Sequence, residues 1–428
     1  MKPSKQIQWL YEELPKLTQA GVVPAEVAEK LRQHYGAAEC GGRRWAIVLF
    51  GILGGALIGA GIILLLAHNW DELSRPVRAV ISFLPLVIAV ALAAFVIWKR
   101  AGSTAWSESV GIFWALAIGA TISLVAQTYH ISGDFPAFIL TWSLAGLPIV
   151  YLLNCSSAAL LFWVGATVWA GHACWNRDEA MWFWPLAALA VPHLWLVART
   201  NRYRPRVAML IWGLAGCAAF GIGFGLTHRI EHAWIPVFTS YFAVLYMIGS
   251  RWFDEGRTFW QRPLQTIGAL GVIALGVALT FGDAWRGTFR QGDWPGLFQS
   301  PLVVLPVAAV VLWVYTWTRQ DPVALLFGGL PVVGMIGTAL AAGHAGVVVL
   351  VLMNVYVLGL GVALITLGVR DQRLGVVNLG MLVTSVLIIA RFFDSDMGFV
   401  LRGLAFIAVG IGFLVTNVML IRRKGGAQ

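Results

Sequence analysis

Fourteen apolar runs, most of them about 20 residues long, follow one another along the chain. A helix of that length spans the hydrocarbon core of a bilayer. The runs are 45–67, 77–98, 109–130, 135–153, 156–173, 181–198, 207–227, 234–249, 264–281, 301–317, 322–341, 346–367, 374–391 and 398–421. Hydrophobic residues make up 59% of the chain and charged residues only 12%, where soluble proteins carry about a quarter. The sequence therefore predicts an all-α, polytopic transmembrane bundle of about 14 spans over residues 43–421.

Residues 1–42 form the one long polar segment. Ile7, Leu10, Leu14 and Leu17 recur at helical spacing, and a second apolar stripe follows Pro24. We expect a short cytosolic two-helix hairpin, with Pro15 bending or restarting its first helix. Both a docking module for a partner protein and an amphipathic anchor on lipid headgroups fit these stripes. Residues 422–428 are predicted to be a basic cytosolic tail.

The distribution of basic residues predicts the orientation of the chain. With the N-terminus in the cytosol, 22 of the 30 Lys and Arg residues lie on the cytosolic side and the other 8 lie outside. Cytosolic loops are enriched in Lys and Arg, so the bias supports fourteen spans with both termini inside. The excess of basic over acidic residues then reflects the topology of the chain and the attraction of its cytosolic loops to anionic lipid. The lipid bilayer is the predicted partner, and no nucleic-acid partner is indicated.

Polar residues concentrate at the ends of several spans that share the predicted outer boundary. We call these residues the polar layer; they are His68, Asn69, Trp70, Asp71, Gln127, Tyr129, His130, Asp134, Arg391, Asp394 and Arg402. Charged groups at this depth in a membrane are either paired with other polar groups or have a functional role. They could form interfacial ion pairs and helix caps. Alternatively, Arg391 and Arg402 could grip a phosphate headgroup while Trp70 and Tyr129 supply a stacking face.

One five-residue pattern raises the question of a metal site. His228, Glu231 and His232 match H-x-x-E-H, in which two histidines can bind zinc and the glutamate can act as a base. The pattern lies in a short loop between spans, without a soluble domain to form a cleft. The four cysteines form no C-x-x-C pair. We therefore predict no metal, no cofactor and no catalytic residues, and we disfavour an enzyme.

Three stretches resemble a known family. They are ELPKLTQAGVVPAEVAEKLRQHYG in the N-terminal segment, HNWDELSRP after the first span and AQTYHISGDF after the third. They resemble domain of unknown function 2157, a family of bacterial membrane proteins without an assigned activity. The C-terminal RFFDSDMGFVLRGLAFIAVGIGFL is similar to endings in this family and a related one. The resemblance implies a bacterial inner-membrane protein and a small envelope protein as a partner.

Two functions remain open from the sequence. The number of spans, the internal prolines and the outer polar residues favour transport or flipping of an envelope lipid or glycan precursor. The spans have no carboxylate or lysine near their centres, where ion-coupled carriers place one. That composition, together with the N-terminal hairpin, favours a non-transporting scaffold or sensor that couples an envelope partner to the cytosol.

Overall fold

The computed structural model describes residues 5–35, 73–177, 179–226, 233–253, 259–285, 301–342 and 346–392, with four single positions between 403 and 411. These residues are helical, with turns between the helices and no strand among them. The α-helices of this part of the chain are α1 (Lys5–Gln19), α2 (Ala25–Tyr35), α3 (Arg75–Lys99), α4 (Thr104–Tyr129), α5 (Phe135–Leu152), α6 (Ser156–Arg177), α7 (Phe183–Ala188), α8 (Val191–Thr200), α9 (Pro205–Leu226), α10 (Trp234–Trp252), α11 (Pro263–Ala278), α12 (Val304–Arg319), α13 (Pro322–Gly328), α14 (Leu330–Ala342), α15 (Gly346–Arg370) and α16 (Leu374–Phe392).

The protein is a membrane protein with several apolar helices. By length and composition, seven candidate membrane spans lie in the described part of the chain: Arg75–Lys99, Thr104–Tyr129, Phe135–Leu152, Pro205–Leu226, Pro322–Ala341, Gly346–Arg370 and Leu374–Phe392. Helices α11 and α12 are apolar but shorter. The predicted run 45–67, and nearly all of 398–421, lie outside the described residues. The all-helical class is confirmed, while the count of fourteen spans stays a prediction.

The chain divides into two compact units, Met1–Ile81 and Ser82–Gln428. In the first unit, Leu14 of α1 is almost fully buried, and Gly21 ends the following turn with a positive φ of 71°. Glycine adopts that backbone conformation without steric cost. Helix α1 continues through Pro15, which excludes the predicted restart there, while the alternative of a bend at Pro15 stays a prediction. The hairpin as a cytosolic module, and the boundaries at residues 42 and 421, stay predictions.

In the second unit, one core lies among α3 to α7 and α9. Trp163 of α6 is completely buried there, and its indole nitrogen donates to Ala187 O of α7 at 3.0 Å. A second core joins α10, α11 and α13 to α16, where the rings of Tyr246 and Phe327 stack 4.2 Å apart. Large aromatic groups thus fill both cores.

Glycine permits the closest approach between helices in the second core. A side chain added at Gly268 of α11 would place its Cβ 2.7 Å from Phe242 O of α10. No real Cβ tolerates that distance, so α10 and α11 pack backbone to backbone at this point. Small residues support such contacts between membrane helices because they let dispersion forces act between the main chains.

Two prolines coincide with interruptions of predicted spans. The predicted span 181–198 is divided into α7 and α8, and Pro192 stands in the first turn of α8. The span 322–341 is divided between Gly328 and Leu330, next to Pro331. Proline lacks a backbone N–H, and the residue before it avoids helical geometry, so a helix readily restarts there.

Candidate functional site

Helices α6 and α9 run in the same direction and leave a groove between them. The groove has a volume of about 840 Å³. Its lining is mainly apolar and comprises Val164, Thr167, Val168, Gly171 and His172 of α6, with Trp212, Gly213, Gly216, Cys217, Phe220 and Phe224 of α9. Ligand pockets in proteins measure roughly 300–1,000 Å³. By size and lining, the groove fits an apolar ligand.

The shape of the groove follows from where its glycines lie. A Cβ at Gly216 would meet no atom within 4 Å, so this residue borders open space. A Cβ at Gly171 would approach the ring of Phe224 to 3.0 Å, so the aromatic ring lies directly against α6 there. Gly216 thus leaves open space in the groove, and aromatic residues of α9 line it, an arrangement that suits a linear chain.

One end of the groove adjoins the turn that the sequence singled out. The ring of His172 lies 5.2 Å from that of Phe135, measured between centroids. Phe135 is the first residue of α5, and Asp134 immediately before it accepts a hydrogen bond from Ala137 N at 2.8 Å. Asp134 is therefore the N-cap of α5, which satisfies one of the free N–H groups of that helix.

His130 ends the preceding helix in a left-handed conformation, with φ 53°. Its Nδ1 lies 3.1 Å from Gln127 O, so the side chain closes onto the last turn of α4. Tyr129 and Asp134 are exposed. The residues of this turn thus combine helix-ending roles with a surface that is free to meet a ligand, next to His172.

Arg391 is the other described member of the predicted polar layer. Its guanidinium donates to Thr280 O at 2.6 Å and to Thr280 Oγ1 at 2.5 Å, and it lies 4.5 Å from the ring centroid of Phe281. These partners follow the C-terminal end of α11. A cation at that position satisfies a free carbonyl group and interacts favourably with the helix dipole.

The remaining predicted site residues lie outside the described residues. These are His68, Asn69, Trp70, Asp71, Asp394 and Arg402, together with His228, Glu231 and His232 of the H-x-x-E-H pattern. Within the described part of the chain, no group of three or more His, Cys, Asp or Glu residues could hold a metal ion. A single connected cluster of Gln127, His130, Asp134, Arg391, Asp394 and Arg402 stays a prediction.

A second polar cluster lies at the opposite end of α6, and the sequence did not indicate it. Glu108 of α4 accepts hydrogen bonds from Ser156 N at 3.0 Å and Ser157 N at 2.8 Å. It also forms an ion pair with Arg206 of α9, with an N–O distance of 2.9 Å. Glu108 therefore caps α6 from a different helix, where a carboxylate is favourable to the helix dipole.

Arg206 connects the starts of α6 and α9. It donates to Ser156 Oγ at 2.9 Å and to Asn154 O at 2.6 Å, besides its ion pair with Glu108. A cavity of about 230 Å³ adjoins it, bordered by the ends of α3 and α5 and the start of α4. Ser156 and Ser157 stand at the start of an apolar run, and serine favours helix caps. This was the one signal in the sequence for the cluster around Arg206.

Ser156 and His193 form a buried hydrogen bond in the same cluster. Ser156 Oγ lies 3.1 Å from His193 Nε2, and both side chains are almost inaccessible. Burial also raises the pKa of the neighbouring Cys155 thiol to about 12. A fully buried hydroxyl that also accepts from Arg206 has no room for a substrate. We assign this cluster to the architecture of the bundle.

Neither a curated protein nor a solved structure matches the chain. Residues 15–161 do match the model of one family, described as a predicted membrane protein (DUF2157), so the resemblance to that family is confirmed over this part of the chain.

Proposed function

We propose that the protein binds an amphipathic envelope lipid, or a lipid-linked glycan precursor, and transports it or flips it between leaflets. The observation that carries this proposal is the groove between α6 and α9, whose polar end adjoins the turn from His130 to Asp134. In this proposal the apolar chain of the lipid lies along the groove, across Gly216. The headgroup lies beside His172 and the turn.

The polar end of the groove is what would select one lipid from another. Hydrocarbon surrounds membrane helices on all sides, so apolar contact alone gives little preference for any chain. Exposed Tyr129 and Asp134, with the ring of His172, offer hydrogen-bonding groups that distinguish headgroups and sugars. The charge bias predicts that this end faces outward, in a multi-pass bacterial inner-membrane protein with cytosolic termini.

The decisive experiment fills the groove without disturbing the packing of the protein. Gly216→Phe adds a ring where a Cβ meets no atom within 4 Å. Gly359→Phe on α15 is the matched control, because that glycine also has open space around it and lies away from the groove. Each variant is purified in detergent, and the lipid that remains bound is identified by native mass spectrometry and by crosslinking to a diazirine-labelled acyl chain.

We expect Gly216→Phe to lose the retained lipid and the crosslinks on α6 and α9, while Gly359→Phe keeps both. Equal retention in both variants would contradict the groove as a binding site. A transport assay in reconstituted vesicles then separates binding from movement. If the lipid binds but does not change leaflet, the transport part of the proposal fails.

A scaffold or sensor is the second candidate, and the N-terminal unit favours it. Val22, in the segment that joins α1 to α2, is 67% exposed, and Val27 of α2 is 45% exposed. Exposed apolar residues on a small helical unit suit contact with a partner protein or with a lipid surface. In this alternative, a small envelope protein acts on that unit through the membrane bundle. This alternative would be supported if deletion of residues 1–42 reproduces the phenotype of cells that lack the protein, while the purified deletion variant still retains lipid.

A further inference from the structure

A basic cavity lies between the last turns of α10 and α12, well separated in sequence from the groove. It has a volume of about 530 Å³ and is lined by Ser250, Arg251, Thr316, Arg319 and Asp321. Arg251 is in the last turn of α10, and Arg319 is the last residue of α12. Two helices therefore each contribute one cation to the same cavity.

The two arginines converge on one aromatic ring. The guanidinium carbon of Arg251 lies 4.6 Å from the ring centroid of Tyr315, and that of Arg319 lies 5.6 Å from it. Arg319 Nη2 also donates to the Tyr315 hydroxyl at 3.2 Å. The ring attracts both cations. It does not neutralise them, so two positive charges lie near the same ring.

Neither arginine forms an ion pair with a carboxylate of the described residues. The one acid that lines the cavity is Asp321, and its Oδ1 accepts from Val323 N at 3.2 Å and Ala324 N at 3.1 Å as the N-cap of α13. Among the described residues that line the cavity, two cations and one helix-capping carboxylate give a net positive charge. An anion placed between the guanidinium groups would relieve their repulsion.

The surrounding aromatic residues indicate where such an anion comes from. Trp252 follows Arg251, and Trp317 lies on the last turn of α12; both are exposed. Exposed Trp and Tyr at the ends of apolar helices are typical of the headgroup level of a bilayer. Basic pockets between membrane helices at that level bind phosphate headgroups. Arginine is suited to this because its planar fork makes paired hydrogen bonds to phosphate oxygens.

We propose that this cavity binds a phosphate group through Arg251 and Arg319. The source is either the phosphodiester of an anionic lipid headgroup or free phosphate. The site is independent of the groove between α6 and α9, and the charge bias predicts that it faces the cytosol.

The test measures how anions stabilise the purified protein. Wild-type protein in nanodiscs of phosphatidylcholine is compared with nanodiscs containing phosphatidylglycerol, and separately with added inorganic phosphate at an ionic strength matched with chloride. We expect an upward shift in Tm with phosphatidylglycerol if the lipid is the source, and with inorganic phosphate if free phosphate is. The Arg251→Gln, Arg319→Gln double variant should lose most of that shift.

Arg373→Gln is the matched control, since Arg373 is an exposed arginine predicted to lie on the same side of the membrane. The quantity compared is the anion-dependent shift, which a mere loss of helix stability does not remove. Arg251→Lys and Arg319→Lys keep the charge and test the paired geometry if the double variant does not fold. Each should weaken the apparent affinity about tenfold, the value of one charge-assisted hydrogen bond. The proposal is overturned if neither anion shifts Tm, or if Arg373→Gln loses as much of the shift as the double variant.

Discussion

The carboxylate of Glu108 and the guanidinium of Arg206 lie 2.9 Å apart and hold the first turns of α6 and α9 against α4. Both side chains are about one-fifth exposed. An ion pair at that depth is shielded from water more than a surface pair, and Glu108 accepts two backbone hydrogen bonds besides. Removing Glu108 therefore leaves the Arg206 cation without its carboxylate and the N–H groups of Ser156 and Ser157 without their acceptor.

We expect Glu108→Ala to lower the free energy of unfolding by about 2 to 4 kcal/mol. The measurement is a denaturant titration in mixed micelles. A cycle with Glu108→Gln, Arg206→Gln and the double variant isolates the coupling between the two groups. A coupling energy of zero would show that the interaction between these two side chains adds nothing to the stability of the bundle.

The topology is open to a direct test. The split of 22 to 8 basic residues predicts that 199–206 and Arg422, Arg423 and Lys424 lie in the cytosol, with the turn from His130 to Asp134 outside. Reporter domains fused after each of these segments measure their location. A cytosolic turn would overturn the span count and the orientation of the groove.

Arg391 gives a test of the predicted polar layer. Arg391→Ala removes the donor to Thr280 O and should lower the free energy of unfolding by about 1 to 3 kcal/mol. Arg373→Ala, at an exposed turn, should change it little. If instead Arg391→Ala folds as stably as the wild type and loses lipid retention, the headgroup role of the layer is favoured over the helix-capping role.

Cys155 should resist alkylation in the folded protein. Because burial raises the pKa of its thiol to about 12, only about one molecule in ten thousand carries the reactive thiolate at pH 8. In a variant with Cys40, Cys174 and Cys217 replaced by serine, maleimide should label Cys155 only after unfolding. Ser132→Cys, added to the exposed turn of a cysteine-free background, is the positive control. Rapid labelling of native Cys155 would contradict its buried position.

Much of the helical architecture followed from the sequence because apolar run length and proline position are local properties. The predicted run 135–153 corresponds to Phe135–Leu152, and 374–391 corresponds to Leu374–Phe392. Hydropathy does not report the path of the backbone inside a run. The prolines inside the runs, Pro192 and Pro331 among them, predict kinks, but not that these two runs divide into separate helices.

The site could be predicted only in part. The turn from Gln127 to Asp134 was noticed because its polar residues interrupt an apolar sequence. The groove was missed because glycine and aromatic residues in an apolar helix look the same whether they face a cavity or another helix. Glu108 and Arg206 were missed as a pair since their contact depends on how α4 and α9 assemble, which no local pattern records.

The clamp formed by Arg206 and Ser156 has a mechanical consequence for the groove. It fastens α6 and α9 at their first turns, while the cavity extends toward His172 and Phe224 in their later turns. Two helices that are held together at one end can separate most at the other end. In the proposed function, any widening of the groove would therefore be greatest beside the turn that carries Asp134, and an acyl chain would enter from that end.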